Sequence, residues 1–402
     1  MLNAYIYDGL RTPFGRHAGE LASIRPDDLA ALVIQRLIEK TGVPGADIED
    51  VILGDTNQAG EDSRNIARHA ALLAGLPVTV PGQTINRLCA SGLGAVIDSA
   101  RAITCGEGDL YIAGGVESMS RAPFVMGKAE SAFSREAKIY DTTIGTRFPN
   151  KKITAQFGGH SMPETGDNVA VEYDIDRAQA DQFAADSQAK YQQAKQDGFF
   201  TDEITPVEVP QGKKLPPKLI CEDEHPRPSS TVDALSKLKP LFEGGVVTAG
   251  NASGINDGAA ALLIGSEQAG QKYGLKPMAK ILSAAAAGIE PRIMGAGPIE
   301  AIKKAVQRAG LTLDDLDIIE INEAFASQVL SCLKGLDISF DDPRVNPNGG
   351  AIAIGHPLGA SGARLALTVA RELQRRNKRY AVVSLCIGVG QGLAMVIENV
   401  SG

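Results

Sequence analysis

Several things are scarce or missing in this chain, and each absence removes a class of function. Basic residues do not dominate: 40 Lys plus Arg stand against 48 Asp plus Glu, a formal net charge of -8. General nucleic-acid binding needs a basic face to neutralise phosphates, so that class is excluded, although a local basic patch can still serve one anionic cofactor. The 5 cysteines, at positions 89, 105, 221, 332 and 386, show no disulfide-rich spacing and no CxxC pair. That pattern points to free thiols in a reducing compartment. Histidines and cysteines lack zinc spacing, so no metal is expected. No GxGxxG follows a strand and no GxxxxGK[ST] occurs, which removes dinucleotide and P-loop sites. No run approaches the roughly 20 apolar residues of a membrane span. Nothing behind Met1 reads as a signal peptide, and Asn399-Val400-Ser401-Gly402 is not a peroxisomal address, so a cytoplasmic protein is expected.

What is present is an ordinary globular composition, 402 residues with 44% hydrophobic and 22% charged, enough for two or three structural units. Tyr5 to Asp8 reads as a strand, Pro26 to Lys40 as an amphipathic helix, Asp50 to Leu53 as a buried strand and Asn65 to Ala74 as a helix. Pro81 to Leu88 is extended. Leu93, Val96, Ile97, Ala100 and Ile103 then follow at helical spacing, and Asp109 to Gly115 reads as a strand ending in glycines. Strands alternating with helices imply parallel pairing and an α/β fold. From Glu117 to about Gly250 the rhythm is lost, with one convincing helix, Arg177 to Gln196, among proline-rich connections. Such an excursion reads as a binding loop or lid. Regular patterning resumes with Val246 to Gly250 and a buried strand from Ala259 to Ile264.

The chain also repeats itself. Ala90-Ser91-Gly92 recurs as Ala360-Ser361-Gly362, and each copy opens a helix followed by a strand, at Asp109 and at Arg379. Upstream, Ala46-Asp47-Ile48-Glu49-Asp50-Val51-Ile52 is echoed by Leu313-Asp314-Asp315-Leu316-Asp317-Ile318-Ile319. Several matches in step imply a duplicated α/β unit with a large insertion after the first copy.

Four stretches could carry chemistry. Cys89 sits at a strand-to-helix turn, where backbone N–H groups and the helix dipole favour a thiolate; a small buried hydrophobe is the alternative. His356, in Asn346-Pro347-Asn348-Gly349-Gly350-Ala351-Ile352-Ala353-Ile354-Gly355-His356-Pro357, lies among glycines before a helix and could be a general base for a thiol or a structural histidine. His17, His69, His160 and His225 read as surface or structural. Cys386 ends a strand before Ile387-Gly388-Val389-Gly390-Gln391-Gly392; it could exchange a proton or be a buried thiol, and the loop N–H groups could face an oxyanion. Asn322 and Glu323 end another strand at a sheet edge where α/β ligands bind.

Taken together, Leu88-Cys89-Ala90-Ser91-Gly92, Asn322-Glu323-Ala324-Phe325, Gly355-His356-Pro357 and Cys386-Ile387-Gly388 resemble, in order and along nearly the whole chain, the four motifs of the thiolase family. The resemblance implies a five-layered α/β/α/β/α core of two βαβαβαββ-type halves. The corresponding division is an N-terminal half, 1–120 completed by 251–276, a loop domain at 121–250 for coenzyme A binding and oligomerisation, and a C-terminal half at 277–402. Gln58-Ala59-Gly60-Glu61-Asp62, Arg121 to Lys128 and Asp141-Thr142-Thr143-Ile144-Gly145 look most like the branch that cleaves 3-oxoadipyl-CoA in aromatic catabolism.

The implied roles are Cys89 as nucleophile and acyl carrier, His356 as its base, and Cys386 as the acid and base that serves the leaving enolate and the incoming coenzyme A. Backbone N–H groups of Cys89 and Gly388 form one oxyanion hole by similarity, and His356 with a water held by Asn322 forms the other. Arg227, Ser253 and Met162 carry over to coenzyme A, which is a co-substrate; no permanently bound cofactor and no metal are implied. Val389 and Gln391 stand where biosynthetic relatives have Gly and Met, and a β-branched Val389 fits positive φ poorly. For a distal carboxylate the excursion offers Arg121, Lys128, Arg135, Lys138, Arg147, Lys151 and Lys152. The resemblance also suggests a homotetramer, a dimer of dimers. The alternatives are an acetyl-CoA acetyltransferase or general 3-ketoacyl-CoA thiolase and, more remotely, a non-catalytic coenzyme A or lipid carrier. A Cys89–Cys386 disulfide that reversibly stops catalysis is a further expectation.

Overall fold

The computed structural model describes residues 1–400 apart from Lys213. Ser401 and Gly402, half of the terminal tetrapeptide read above, lie outside the described residues. Nine strands carry the core: β1 (Ala4–Arg11), β2 (Asp50–Gly54), β3 (Gly82–Ile85), β4 (Leu110–Ser118), β5 (Asn256–Gly265), β6 (Ala279–Gly288), β7 (Ile318–Ile321), β8 (Tyr380–Ile387) and β9 (Gln391–Glu398). Their spatial order is β7-β8-β9-β6-β1-β5-β4-β2-β3. β1 meets β6 only through Ala4, Tyr5 and Ile6, so two sets of strands touch at a short seam. Each set repeats the other: β2 runs parallel to β4 as β7 does to β8, and an antiparallel pair follows in both. Even the edge is echoed, because Val345 makes a single parallel bridge to Ile319 where the first set has β3 beside β2. The duplication read from the sequence is therefore a duplication of topology.

The pairing is mixed rather than parallel as expected. A parallel neighbour needs a crossover, usually a helix, whereas β8 and β9 are joined by the tight turn Gly388-Val389-Gly390 and must pair antiparallel. β4 and β5 are separated by the long excursion and return antiparallel as well. Nor does β4 end in glycines: it runs to Ser118, and Gly114 and Gly115 lie within it. A Cβ on Gly114 would strike the Ala260 carbonyl, and one on Gly115 the Gly359 carbonyl.

Helices α1 (Pro26–Thr41) and α2 (Ile66–Leu73) cover the outer face of the first set, with Leu29, Val33, Leu37, Ile66 and Ala70 in one apolar cluster with Val51 and Leu263. The other outer face packs on α6 (Gly297–Arg308) and α7 (Ala326–Gly335), reached in the chain after α3 (Ser91–Cys105), α4 (Met162–Glu172) and α5 (Arg177–Gln196). Between the sheets lie α3 and α8 (Leu358–Arg375), whose Leu93, Val96, Ile97, Leu365 and Val369 share one cluster with residues of both strand sets. Helix, sheet, helix, sheet, helix is the resulting five-layer order. Contrary to the expectation that no run approaches a membrane span, the 18 residues Leu88–Cys105, with a mean hydropathy of 1.2, are long and apolar enough by length and composition, but their apolar side chains are the centre of this sandwich.

The repeated Ala-Ser-Gly now has a physical reason. α3 and α8 begin against each other: a Cβ on Gly92 would meet the Gly359 carbonyl and the Ala363 N–H, and one on Gly362 would meet the Leu93 N–H. Only glycine lets the two helix starts come this close.

In the excursion α5 matches its expected span, capped by Asp176 through a reciprocal bond with Gln179. α4, missed in the sequence, starts where the Ser161 N–H and hydroxyl both donate to Glu164, each at 2.7 Å. Residues 246–250, expected to resume regular patterning, form no strand. Their N–H groups are taken by side chains instead: Val246 and Val247 donate to Asp167 at 2.8 and 2.9 Å, and Thr248 donates to Asn251 at 2.8 Å.

Candidate active site

A cavity of about 620 Å³ opens where the starts of α3 and α8 meet the β8–β9 turn. Cys89, His356, Cys386 and Gly388 line it, as do Met162, Arg227 and Ser253. Positions 89 and 386, almost 300 residues apart in sequence, thus face one space. The segments around Ser253 and Phe325 reach it together: Ala252 bridges Phe325, Ser253 N–H donates to the Ala324 carbonyl at 3.0 Å, and Ala326 N–H donates to the Asn251 carbonyl at 2.8 Å.

Cys89 is held by a strained turn. β3 stops at Ile85, short of the extended run expected to Leu88, and Leu88 adopts φ 46. Ser91 pins the turn: its hydroxyl donates to the Leu88 carbonyl at 2.6 Å and accepts from Arg87 N–H at 2.8 Å. The expected thiolate is not found. Burial pushes the thiol up to about 11, with Glu117 adding to the rise, although the nearby backbone N–H groups of Gly388 and of Cys89 itself pull the other way. Loss of hydration outweighs two backbone donors, so Cys89 needs a base.

His356 is 4% exposed, and its backbone N–H donates to Asn256 Oδ1 at 2.8 Å. The Ser361 hydroxyl donates its one hydrogen to the Pro357 carbonyl at 2.8 Å and lies 2.6 Å from His356 Nδ1. It can therefore only accept from Nδ1–H, which leaves the lone pair on Nε2. That nitrogen has a long 3.3 Å contact with Asn322 Nδ2. Burial, and then the buried Arg364 guanidinium, lower His356 to about 3, so the ring is neutral and able to take a proton. Cys386 is fully buried at the end of β8, and burial, Cys89 and Cys332 raise its thiol well above the ordinary value.

Asn322 and Glu323 do not line the cavity. Asn322 stands behind His356, with its backbone N–H donating to the Ser384 carbonyl at 2.9 Å and its buried Oδ1 without a partner among the described residues. Glu323, expected at a ligand-binding edge, is consumed by scaffolding: Ser187, Asn346 and Ile352 N–H donate to it at 2.6, 2.9 and 3.1 Å. It fixes the segment that leads to His356. Val389 does hold the positive φ judged unfit for it, at 65, followed by Gly390 at 84, because a three-residue turn between paired Ile387 and Gln391 requires it. Such a conformation costs a β-branched residue about 1–2 kcal/mol.

Three contributors escaped the sequence reading. His225, expected at the surface or in a structural setting, lines the cavity, and burial with Arg227 lowers it to about 4. Asn256 and Ser361 orient His356. Ser361 was visible only as part of a repeat, and Asn256 only as one polar residue of a glycine-containing segment; neither has a signal of its own.

A half-buried cysteine with a neutral imidazole base, a second thiol and backbone N–H groups around one cavity is the equipment of acyl transfer through a thioester. The chain belongs to the thiolase family: the thiolase N-terminal domain matches residues 4–268 and the thiolase C-terminal domain matches residues 275–399. It is an acyltransferase. It is 57% identical over 402 residues, all of both chains, to the beta-ketoadipyl-CoA thiolase of Acinetobacter baylyi. The 3-oxoadipyl-CoA/3-oxo-5,6-dehydrosuberyl-CoA thiolase of Escherichia coli is also 57% identical across the full length of both. Among solved structures, the acetyl-CoA acetyltransferase of Bacillus anthracis superposes with a TM-score of 0.92 at 38% identity, covering 100% of this chain and 99% of that one.

Proposed function

We propose that this protein cleaves 3-oxoadipyl-CoA with coenzyme A to succinyl-CoA and acetyl-CoA, through an acyl group on Cys89. The observation that carries the chemistry is the cavity that Cys89, His356, Cys386 and Gly388 share, with Nε2 of His356 unprotonated and only a long 3.3 Å contact from Asn322 Nδ2 upon it. The choice of substrate is supported by the full-length identity to relatives whose names carry that dicarboxylic acyl group.

Nε2 of His356 takes the Cys89 proton as sulfur attacks C3 of the substrate. The negative charge on the former keto oxygen is met by the N–H groups of Cys89 and Gly388. As the carbonyl reforms, the C2–C3 bond breaks and its electron pair becomes the acetyl-CoA enolate. That enolate is stabilised by His356 and a water on Asn322, whose Oδ1, unpaired among the described residues, offers an acceptor for it. Cys386 gives its proton to C2, and acetyl-CoA leaves. The Cys386 thiolate then deprotonates coenzyme A, which attacks the acyl-Cys89 carbonyl. Succinyl-CoA departs, and His356 returns the proton to Cys89. Losing one oxyanion donor would raise the barrier by about 3 to 4 kcal/mol.

Coenzyme A lies along Met162 and Ser253 with its adenine end near Arg227. The enzyme works in the cytoplasm as a homotetramer, with 121–250 as the unit that binds coenzyme A and joins subunits. Phe124, Met126, Phe133 and Ile139 of that stretch, each more than half exposed, supply an apolar face for assembly; sedimentation as a monomer would refute it.

The deciding experiment compares kcat/KM for coenzyme A-dependent cleavage of 3-oxoadipyl-CoA, acetoacetyl-CoA and a medium-chain 3-oxoacyl-CoA. A large preference for the first is expected; equal or better activity on the others keeps the mechanism and overturns the substrate. Cys89→Ala should abolish turnover and retain coenzyme A binding, whereas a carrier would lose nothing.

A further inference from the structure

Seven basic residues of the excursion could meet the distal carboxylate, and their surroundings separate them. Arg121 is committed: Nε and Nη2 donate to the two Glu61 oxygens at 2.5 and 2.6 Å. Lys128, Arg135, Lys138, Lys151 and Lys152 are exposed and stand outside the cavity wall. Arg147 alone of the seven lines the cavity that holds Cys89, and it is half-buried.

Its setting suits a ligand rather than a structural partner. Among the described residues no carboxylate pairs with it. Two backbone carbonyls hold the guanidinium instead, Gly145 from Nη1 at 3.2 Å and Thr142 from Nη2 at 3.0 Å. A guanidinium has five N–H donors, so three remain, and its planar fork matches a carboxylate. The loop is anchored at its root. Thr142 is buried, its hydroxyl donates to the Pro123 carbonyl at 2.6 Å and accepts from Asn57 Nδ2 at 2.9 Å, and the strands Phe124–Met126 and Ile139–Asp141 close a hairpin behind it. A cation positioned by carbonyls on a fixed loop is preorganised for an anion.

The cavity carries one other arginine, Arg227, which is exposed and lies beside Ser253 and His225 in the wall assigned above to coenzyme A. A 3-oxodicarboxylic acyl chain therefore presents two anionic ends to one cavity, the coenzyme A phosphates and a carboxylate three carbon–carbon bonds beyond the attacked carbonyl. We infer that Arg147 receives that carboxylate and sets the preference for dicarboxylic over neutral acyl chains. This rests on the substrate reading above and adds the residue that produces it.

The test measures kcat/KM for 3-oxoadipyl-CoA and for 3-oxohexanoyl-CoA, its neutral analogue of equal length, on the same preparations of wild type, Arg147→Gln, Arg147→Glu and Arg147→Lys. The ratio of the two values is independent of how much of a variant folds. Arg147→Gln should lower the ratio by about 10- to 100-fold, the effect of one charge-assisted pair. Arg147→Glu should lower it further, and Arg147→Lys should keep part of it, because the charge stays and the fork is lost. A wild-type preference that survives Arg147→Gln and Arg147→Glu overturns this inference alone. A wild type without the preference overturns the substrate reading and this inference with it.

Discussion

Burial raises the Cys89 thiol to about 11 and lowers His356 to about 3, so at neutral pH the resting pair is a thiol and a free imidazole. In the proposed mechanism the ion pair forms as substrate arrives, when the N–H groups of Cys89 and Gly388 would meet a developing oxyanion. Alkylation of free enzyme by iodoacetamide should accordingly keep accelerating beyond pH 9; a rate that levels off below pH 7 would mean a resting thiolate. Ser361 decides which ring nitrogen is free. Replacing it with Ala removes the acceptor of Nδ1–H, and one such bond, about 1.4 kcal/mol, corresponds to about 10-fold in rate. We expect kcat to drop by that factor with KM nearly constant, and Ser361→Thr to restore it. A fall in Tm without a fall in kcat would give Ser361 a purely structural part.

At the scale of elements, the site depends on two helix starts in backbone contact. Gly92 and Gly362 allow the N-termini of α3 and α8 to cross, which brings the turn of Cys89 to the turn of His356. A methyl at Gly362 meets the backbone of Leu93, which cannot rotate away, so overpacking by about 1–3 kcal/mol is expected for Gly362→Ala. Urea unfolding should show that loss, and kcat should fall with it because the helices must separate. Unchanged stability would show that the crossing has slack. Glu323 works at the same scale: by gathering Ser187, Asn346 and Ile352 it locks α5 to the segment before His356.

For the whole molecule, buried titrating groups set the pH range. His225 is lowered from 6.5 to about 4 and His356 from 6.5 to about 3. Between those values the unfolded chain binds protons that the folded one refuses, so the stability they contribute is complete above pH 6.5 and is lost as pH falls through the window. Relative to wild type, His225→Gln, which cannot take up a proton, should therefore gain Tm as pH falls from 6.5 toward 4. An identical slope in the variant would place the acid-sensitive group elsewhere. Burial raises Glu117 from 4.5 to about 7, which works in the opposite sense: the folded state keeps a proton that the unfolded chain releases, and stability is lost as pH rises across that interval.

The duplicated α/β unit, the helix at α5, the order of the four motifs and the candidacy of Cys89, His356 and Cys386, which the fold gathers around one cavity, were legible in the sequence, because periodicity and local glycine-rich turns are properties of neighbouring residues. Antiparallel pairing of β5 and β9, the strained φ of Val389, the scaffolding task of Glu323 and the raised thiol of Cys89 were decided only in the tertiary structure. So were Asn256 and Ser361 as supports of His356, and Arg147 as the one cation of seven in the cavity wall. The physical reason is common to them: hydration, close backbone approach and the partner of a polar atom depend on residues that are distant in the chain, and only folding brings them within reach.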